Sequence, residues 1–301
     1  MRFRPVAGAH VGRLPVAAIA LTFSCALGIA QQKSDLDPQE LVRRAAKNEV
    51  KASQYNQYFM YRDYTDYKTH SITKEVIETP QGGLSSTIAI NGQPLTPDQR
   101  AKENQKLAKF ANDPEARRKR EESSREEDER ERLMLTSLPD AFLYTYAGTQ
   151  QGPDGDALVH LTFRPNPNFN PPNHETRVYQ GMQGDVLIDR KALRIAKIDG
   201  TLFKDVEFGW GILGRLYKGG KFYIEQRDVG NGRWEMVRET LDFNGKILMI
   251  KPLTIYSTET ATDFRSVPAD LTVAQALDLL HKSDQTVAQN SANKGSDNNQ
   301  R

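Results

Sequence analysis

From Gly184 to Tyr256 the apolar residues come in short runs, Val186-Leu187-Ile188, Phe222-Tyr223-Ile224 and Ile247-Leu248-Met249-Ile250. Gly219-Gly220, Gly230-Asn231-Gly232 and Asn244-Gly245 divide them. Apolar runs this short between turn residues predict a meander of β-strands. Asn and Gly accept positive φ at little cost, as two-residue hairpin turns require, so Asn244-Gly245 is the strongest turn signal in the chain. The strands expected here cover residues 178–189, 194–206, 212–218, 221–229, 234–243 and 246–256. Pro252 has no N–H to donate, which places its strand at an edge or a bulge.

Upstream, the stretch from Tyr55 to Thr69 is rich in aromatics, which pack well on a pleated surface and predict a strand. Alternation puts Tyr58, Met60 and Tyr64 on one face and Phe59, Tyr61 and Tyr67 on the other. Strands at 72–79 and 84–90 follow, separated by Pro80-Gln81-Gly82-Gly83 and ended by Asn91-Gly92. A further hairpin joins 142–149 to 157–163, and the proline-rich run from Arg164 to Pro172 reads as a rigid connector. At the two ends lie amphipathic helices. Asp37, Pro38 and Glu40 open the first, with Leu41, Val42, Ala45, Ala46 and Val50 as its stripe. Thr272 and Gln275 form a capping box for the last, whose stripe is Val273, Ala276, Leu277 and Leu280.

One segment breaks the β pattern. Residues 99–135 read as helical, broken near Asn112-Asp113-Pro114, and Glu115 to Arg132 is almost wholly charged with mixed sign. Glu121 with Arg125, Glu126 with Arg130 and Asp128 with Arg132 have the i,i+4 spacing of helical ion pairs. Leu133, Met134, Leu135 and Leu138 then return the chain to the core before Pro139. Such a helix is either a solvated insertion or an arm that docks a partner by charge.

Charge and chemistry narrow the function. Lys plus Arg is 41 against Asp plus Glu 39, a net charge of +2, which argues against a nucleic-acid partner. Arg2, Arg4 and Arg13 precede an apolar run from Leu14 to Ile29, the layout of an export signal cleaved near Ala30. The expectation is a secreted or periplasmic protein with no transmembrane span in its mature chain. Lipidation at Cys25 is the rival reading, but Thr22 stands where a lipobox has Leu. His70, His160, His174 and His281 lack the spacing of a zinc site, and Asp185, Asp189, Asp199 and Asp205 read as turn and strand-edge residues. No nucleophile elbow or phosphate loop is present, and Gly209-Trp210-Gly211 lacks the helix and Lys-Ser or Lys-Thr that a nucleotide needs. The sequence therefore points to a non-enzymatic protein with no catalytic set, no metal and no cofactor.

Gly184-Asp185-Val186-Leu187-Ile188-Asp189 followed by Leu193-Arg194-Ile195-Ala196-Lys197-Ile198-Asp199-Gly200, with the strand inventory, resembles the periplasmic lipoprotein-carrier (LolA/LolB-like) superfamily. The resemblance implies a half-open antiparallel barrel whose concave side holds helices and a hydrophobic cavity for acyl chains, without catalysis. The expected fold is thus α+β and mostly antiparallel: a half-open curved sheet of about eleven strands wrapping helices, with a charged helical insertion. The expected divisions are a signal at 1–30, the first helix and strands at 31–96, and the insertion at 97–138. The main meander at 139–268, a terminal helix at 269–282 and a polar tail at 283–301 complete them. The expected function is to bind a lipid, an acyl chain or a lipoprotein-like amphiphile in the groove. Its candidate lining is Phe59, Tyr61, Leu187, Trp210, Phe222, Ile224, Trp234 and Met249. The alternative is a cell-envelope interaction or scaffold module that docks a protein partner on the charged helix at 115–132.

Overall fold

The computed structural model describes residues 37–53, 55, 57–153, 155–209, 213–248 and 250–283. The expected export signal, Cys25, Trp210 and Met249 lie outside them. Among the described residues the strands are β1 (Tyr58–Asp66), β2 (Ser71–Ile77), β3 (Leu84–Ile90), β4 (Gln93–Pro94), β5 (Phe142–Gln151) and β6 (Ala157–Pro165). They continue as β7 (Met182–Asp189), β8 (Ile195–Leu202), β9 (Val206–Phe208), β10 (Gly214–Leu216), β11 (Lys221–Asp228), β12 (Trp234–Ile247) and β13 (Lys251–Val267). All belong to one antiparallel sheet, whose main path runs β4-β3-β2-β1-β13-β12-β11-β8-β7-β6-β5. β9 and β10 form a side ladder on β12. The path ends at β4 and β5, so the sheet is open, and β1 joins the first strands to the last through β13.

Residues paired directly across strands share a face. One row runs from Tyr146 through Leu161, Val186, Ile198 and Ile224, on β5, β6, β7, β8 and β11. It continues through Glu239 and Glu259 on β12 and β13, then Thr65, Ile72 and Ile90 on β1, β2 and β3. At the β5 end this face is covered by α1 (Pro38–Ala52) and the last turns of α3 (Pro114–Ala141). Leu41, Val42, Ala45, Leu138 and Ala141 pack there on Phe142, Leu161, Val186 and Ile188. At the other end the opposite face is covered. Met60, Ile77 and Leu84 pack on Leu107 of α2 (Pro97–Asn112) and on Ala276, Leu277 and Leu280 of α4, residues 273–283. The resemblance places helices on one side of the sheet, whereas here they lie on both. The physical reason is that β1 to β3 carry large apolar residues outward at Met60, Ile77 and Leu84, and these need cover of their own.

The helix ends follow their sequence signals. The Asp37 carboxylate accepts the Glu40 N–H at 3.2 Å, Thr96 and Gln99 cap α2 reciprocally, and Thr272 and Gln275 do the same for α4. α2 and α3 are separate helices divided at Asp113. On α1 the buried stripe is Leu41, Val42, Ala45 and Ala46, as expected, but it continues through Glu49 while Val50 is half-buried. Glu49 accepts two hydrogen bonds from Arg194, at 3.0 and 2.6 Å, and one from the Ile195 N–H at 2.8 Å, fastening α1 to the start of β8.

Four local expectations are corrected. Asn244-Gly245 is not a turn: β12 runs straight through it, and the chain reverses around Leu248, where φ is 50°. Gly245 answers a different need, because a Cβ there would lie 2.2 Å from the Arg215 carbonyl oxygen of β10. Residues 175–181 form a 3-10 segment in place of the start of a strand. α3 runs through Pro139 and ends two residues later at Ala141, so the missing N–H forfeits one hydrogen bond to the preceding turn just before the helix stops. On α3 none of the i,i+4 pairs forms; Arg118 pairs with Glu115 and Arg132 with Glu129, at i,i+3. Pro252 is placed as its chemistry demands, since β13 has only β12 beside it until pairing with β1 begins at Thr258.

Candidate functional site

α1 and α3 pack over β5 and β8. Beyond them the same sheet face, on β11, β12, β13 and β1, is covered unevenly: Phe59, Asp63, Thr65 and Ala261 are buried, while other positions keep apolar surface exposed. Its apolar surface includes the half-buried Ile224 and Leu241 and the exposed Ile255. At the β1 side Tyr61 stacks on Phe264 with ring centroids 5.1 Å apart, and Phe59 meets the same ring edge-on at 6.1 Å.

In the middle of this face stand carboxyl groups. Glu239 and Glu259 are directly opposite one another on β12 and β13, and Glu259 is also opposite Thr65. Like charges in that relation destabilise a sheet. Neither glutamate side chain forms an ion pair or hydrogen bond among the described residues. Two positions along β1, the buried Asp63 takes the Thr65 hydroxyl at 3.3 Å and lies opposite Lys74. Glu78, at the end of the β1–β2 ladder, accepts the Phe59 N–H at 2.9 Å.

Burial pushes the Glu78 carboxyl up to about 7, with Glu235 adding to the shift and the Phe59 N–H and Arg233 opposing it. Burial likewise pushes Glu259 up to about 7, helped by Asp63 and Glu239 and opposed by Lys74. Glu239 is raised by burial, and so is Asp63 against the pull of Lys74 and Thr65. The site is therefore a partly apolar surface on which Glu78 and Glu259 exchange protons near neutrality, with Glu239 and Asp63 also raised. It can present hydrogen-bond donors when protonated and negative charge when not.

The same shifts make stability depend on pH. An unfolded glutamate titrates near 4.5, so the folded chain holds the protons of Glu78 and Glu259 more tightly than the unfolded one. Their contribution to folding is fully present below about 4.5 and is lost as pH rises through about 7. We expect the thermal midpoint to fall across that window, and the Glu78→Gln, Glu259→Gln double variant to flatten the profile. An unchanged profile in the variant would contradict the assignment.

The eight candidate lining residues do not form one site. Phe59 and Tyr61 lie on the open face, and Ile224 belongs to its transverse row. Phe222 is on this face as well, but its ring lies over Gly200, where a Cβ would come within 2.1 Å of it. Leu187 and Trp234 are on the opposite face, where they cluster with Leu158 and Ala196. Trp210 and Met249 are outside the described residues. The central glutamates were missed, although a signal existed: Glu239 occupies an inward position of the alternation Val237, Glu239, Leu241, Phe243.

Among the described residues no group of three His, Cys, Asp or Glu side chains is placed to hold a metal ion. No described helix is long and apolar enough to cross a membrane. No family model matches the chain, and no curated protein matches it either. Two solved structures are similar at a low level. A DUF1329 family protein from Desulfovibrio piger ATCC 29098 aligns over 76% of this chain and 93% of its own, with 10% identity and a TM-score of 0.31. MucB in complex with MucA(peri) aligns over 75% of this chain and 94% of its own, with 9% identity and a TM-score of 0.22. TM-scores this low do not establish a shared fold.

Proposed function

We propose that this chain is an exported, non-enzymatic binding protein that holds an amphiphile, such as a lipid or the acyl chain of an acylated protein, on the open face of its sheet. The observation that carries the reading is the partly covered stretch from β11 to β1, where Ile224, Leu241, Tyr61 and Phe264 leave apolar surface half-exposed beside a filled core. Covering such surface is favourable by about 25 cal/mol per Å². An acyl chain laid across the strands would gain that without ordering a flexible part of the protein.

The paired glutamates suit the polar end of the same ligand. Covering Glu239 and Glu259 with hydrocarbon favours their protonated forms, which can donate hydrogen bonds to a carbonyl or hydroxyl of a head group. Fatty-acid binding should therefore tighten from about pH 8 to about pH 6, as the repulsion between carboxylates is removed. Titration with a fluorescent fatty acid at both pH values, with mass spectrometry of lipid extracts from the purified protein, tests this. The expected result is a co-purifying acyl species and weaker binding in Leu241→Glu. No acyl species and no fatty-acid binding at either pH would sink it.

The alternative, a protein partner docked on the charged helix, has one observation in its favour. Arg125, Glu126 and Arg130 are exposed on α3 and engaged in no ion pair among the described residues. Reversing these charges would abolish a crosslinked partner under that reading and would leave lipid binding unchanged.

A further inference from the structure

On the face opposite the open groove, the ends of β5, β7 and β11 and the starts of β6, β8 and β12 surround a cavity of about 430 Å³. Its floor is the separate apolar cluster of Leu158, Leu187, Ala196 and Trp234, which shares no residue with the main core. That volume falls within the range of small-ligand pockets, roughly 300–1,000 Å³.

Most of the charged groups around it already have partners within the protein. Glu225 takes Arg227 at 2.6 Å and the Tyr223 hydroxyl at 2.8 Å, and Lys197 lies 3.5 Å from Asp199. Asp189 accepts the backbone N–H groups of Lys191 and Ala192, and Asp228 accepts that of Gly230. Lys191 and Asp156, one of each sign, remain at the rim. With four acids and three bases in its lining, the site disfavours an anionic occupant.

Its uncommitted groups are of another kind. The side-chain amides of Gln150, Gln151 and Gln226 and the indole N–H of Trp234 make no hydrogen bond among the described residues. Each amide both donates and accepts, the complement of a hydroxyl group, which does the same. Trp adds a flat apolar surface and one donor. An acyl chain would leave those amides unsatisfied on desolvation, whereas a ring with hydroxyls on its edge and C–H groups on its face satisfies both sets.

We propose that this cavity, floored by Trp234 and rimmed by Gln150, Gln151 and Gln226, is a binding site for a neutral saccharide of one or two rings. The sugar's C–H face rests on the indole and the aliphatic floor, and its hydroxyls bridge the three amides. The site is independent of the amphiphile groove, being on the other side of the sheet.

The test is calorimetric titration of the full chain with N-acetylglucosamine, maltose and cellobiose, with glucuronate and decanoate as charged and acyl controls. At least one neutral sugar should bind at millimolar concentration or below. Trp234→Ala should weaken that binding by roughly tenfold or more, while Glu239→Gln on the opposite face leaves it unchanged. Because Trp234 helps to seal the apolar floor, Gln150→Ala and Gln226→Ala provide a second measure, since they change only the rim; each should also weaken binding. Failure of every neutral sugar to bind, binding of decanoate or glucuronate alone, or full affinity in both glutamine variants would overturn the proposal.

Discussion

Replacing Glu49 with alanine should destabilise the fold by about 3–5 kcal/mol, the range seen when one partner of a buried ion pair is removed. Glu49 and Arg194 are 5% and 8% exposed, and the carboxylate takes both Arg194 contacts and the Ile195 N–H. Without it the guanidinium is left inside the protein with no charge opposite, and α1 loses its polar fastening to β8. Glu49→Gln should cost less, because the amide oxygen still accepts the Ile195 N–H. Replacing both Glu49 and Arg194 with methionine should recover much of the loss, since an apolar pair needs no desolvation. Urea unfolding midpoints would measure all of these. A loss in Glu49→Ala below about 1 kcal/mol, the usual worth of an exposed pair, would show that the pair is hydrated in solution.

The second large effect is expected at Glu75. Its side chain is fully buried and accepts from Arg62 at 3.1 and 2.8 Å and from Arg265 at 3.0 Å, tying β2 to β1 and β13. Glu75→Ala removes three charge-assisted hydrogen bonds and should cost about 2–4 kcal/mol. The figure is smaller than for Glu49 because Arg62 and Arg265 are 37% and 56% exposed and can turn to water. The damage should also be local. Hydrogen exchange should accelerate in β1, β2 and β3 while β5 to β8, held by the other core cluster, stay protected. Uniform loss of protection across the sheet would contradict that division.

Both glutamates mark where sequence reading stopped. Helix caps and most turns were legible because they depend on neighbours in the chain: Asp37 with Glu40, Thr272 with Gln275, and Asn91-Gly92 with φ of 51° and 72°. The open antiparallel sheet followed from counting alternating runs between such turns. What alternation does not reveal is which strand lies beside which, and so it could not show Glu75 facing Arg265 or Glu49 facing Arg194. Asn244-Gly245 misled for the same reason. Its glycine is required by the approach of β10, a contact remote in sequence from the turn chemistry that the dipeptide suggests. The candidate lining failed as a single site because aromatic and aliphatic residues were chosen by type. Register sorts them: Tyr61 and Ile224 go to one face, Leu187 and Trp234 to the other.

The pairing of β1 with β13 also governs how the molecule is made. During synthesis, β1 to β4 and β5 to β12 emerge as two partial sheets with nothing to join them. The strand that unites them is nearly the last to appear, and its contacts span most of the chain, a topology that folds slowly. Until Thr258 to Val267 arrives, β1 waits with one row of backbone groups unpaired, an edge open to pairing with another chain. The interval before that strand arrives is when a holding chaperone would matter most, and a chain cut short before residue 258 would keep the open edge permanently.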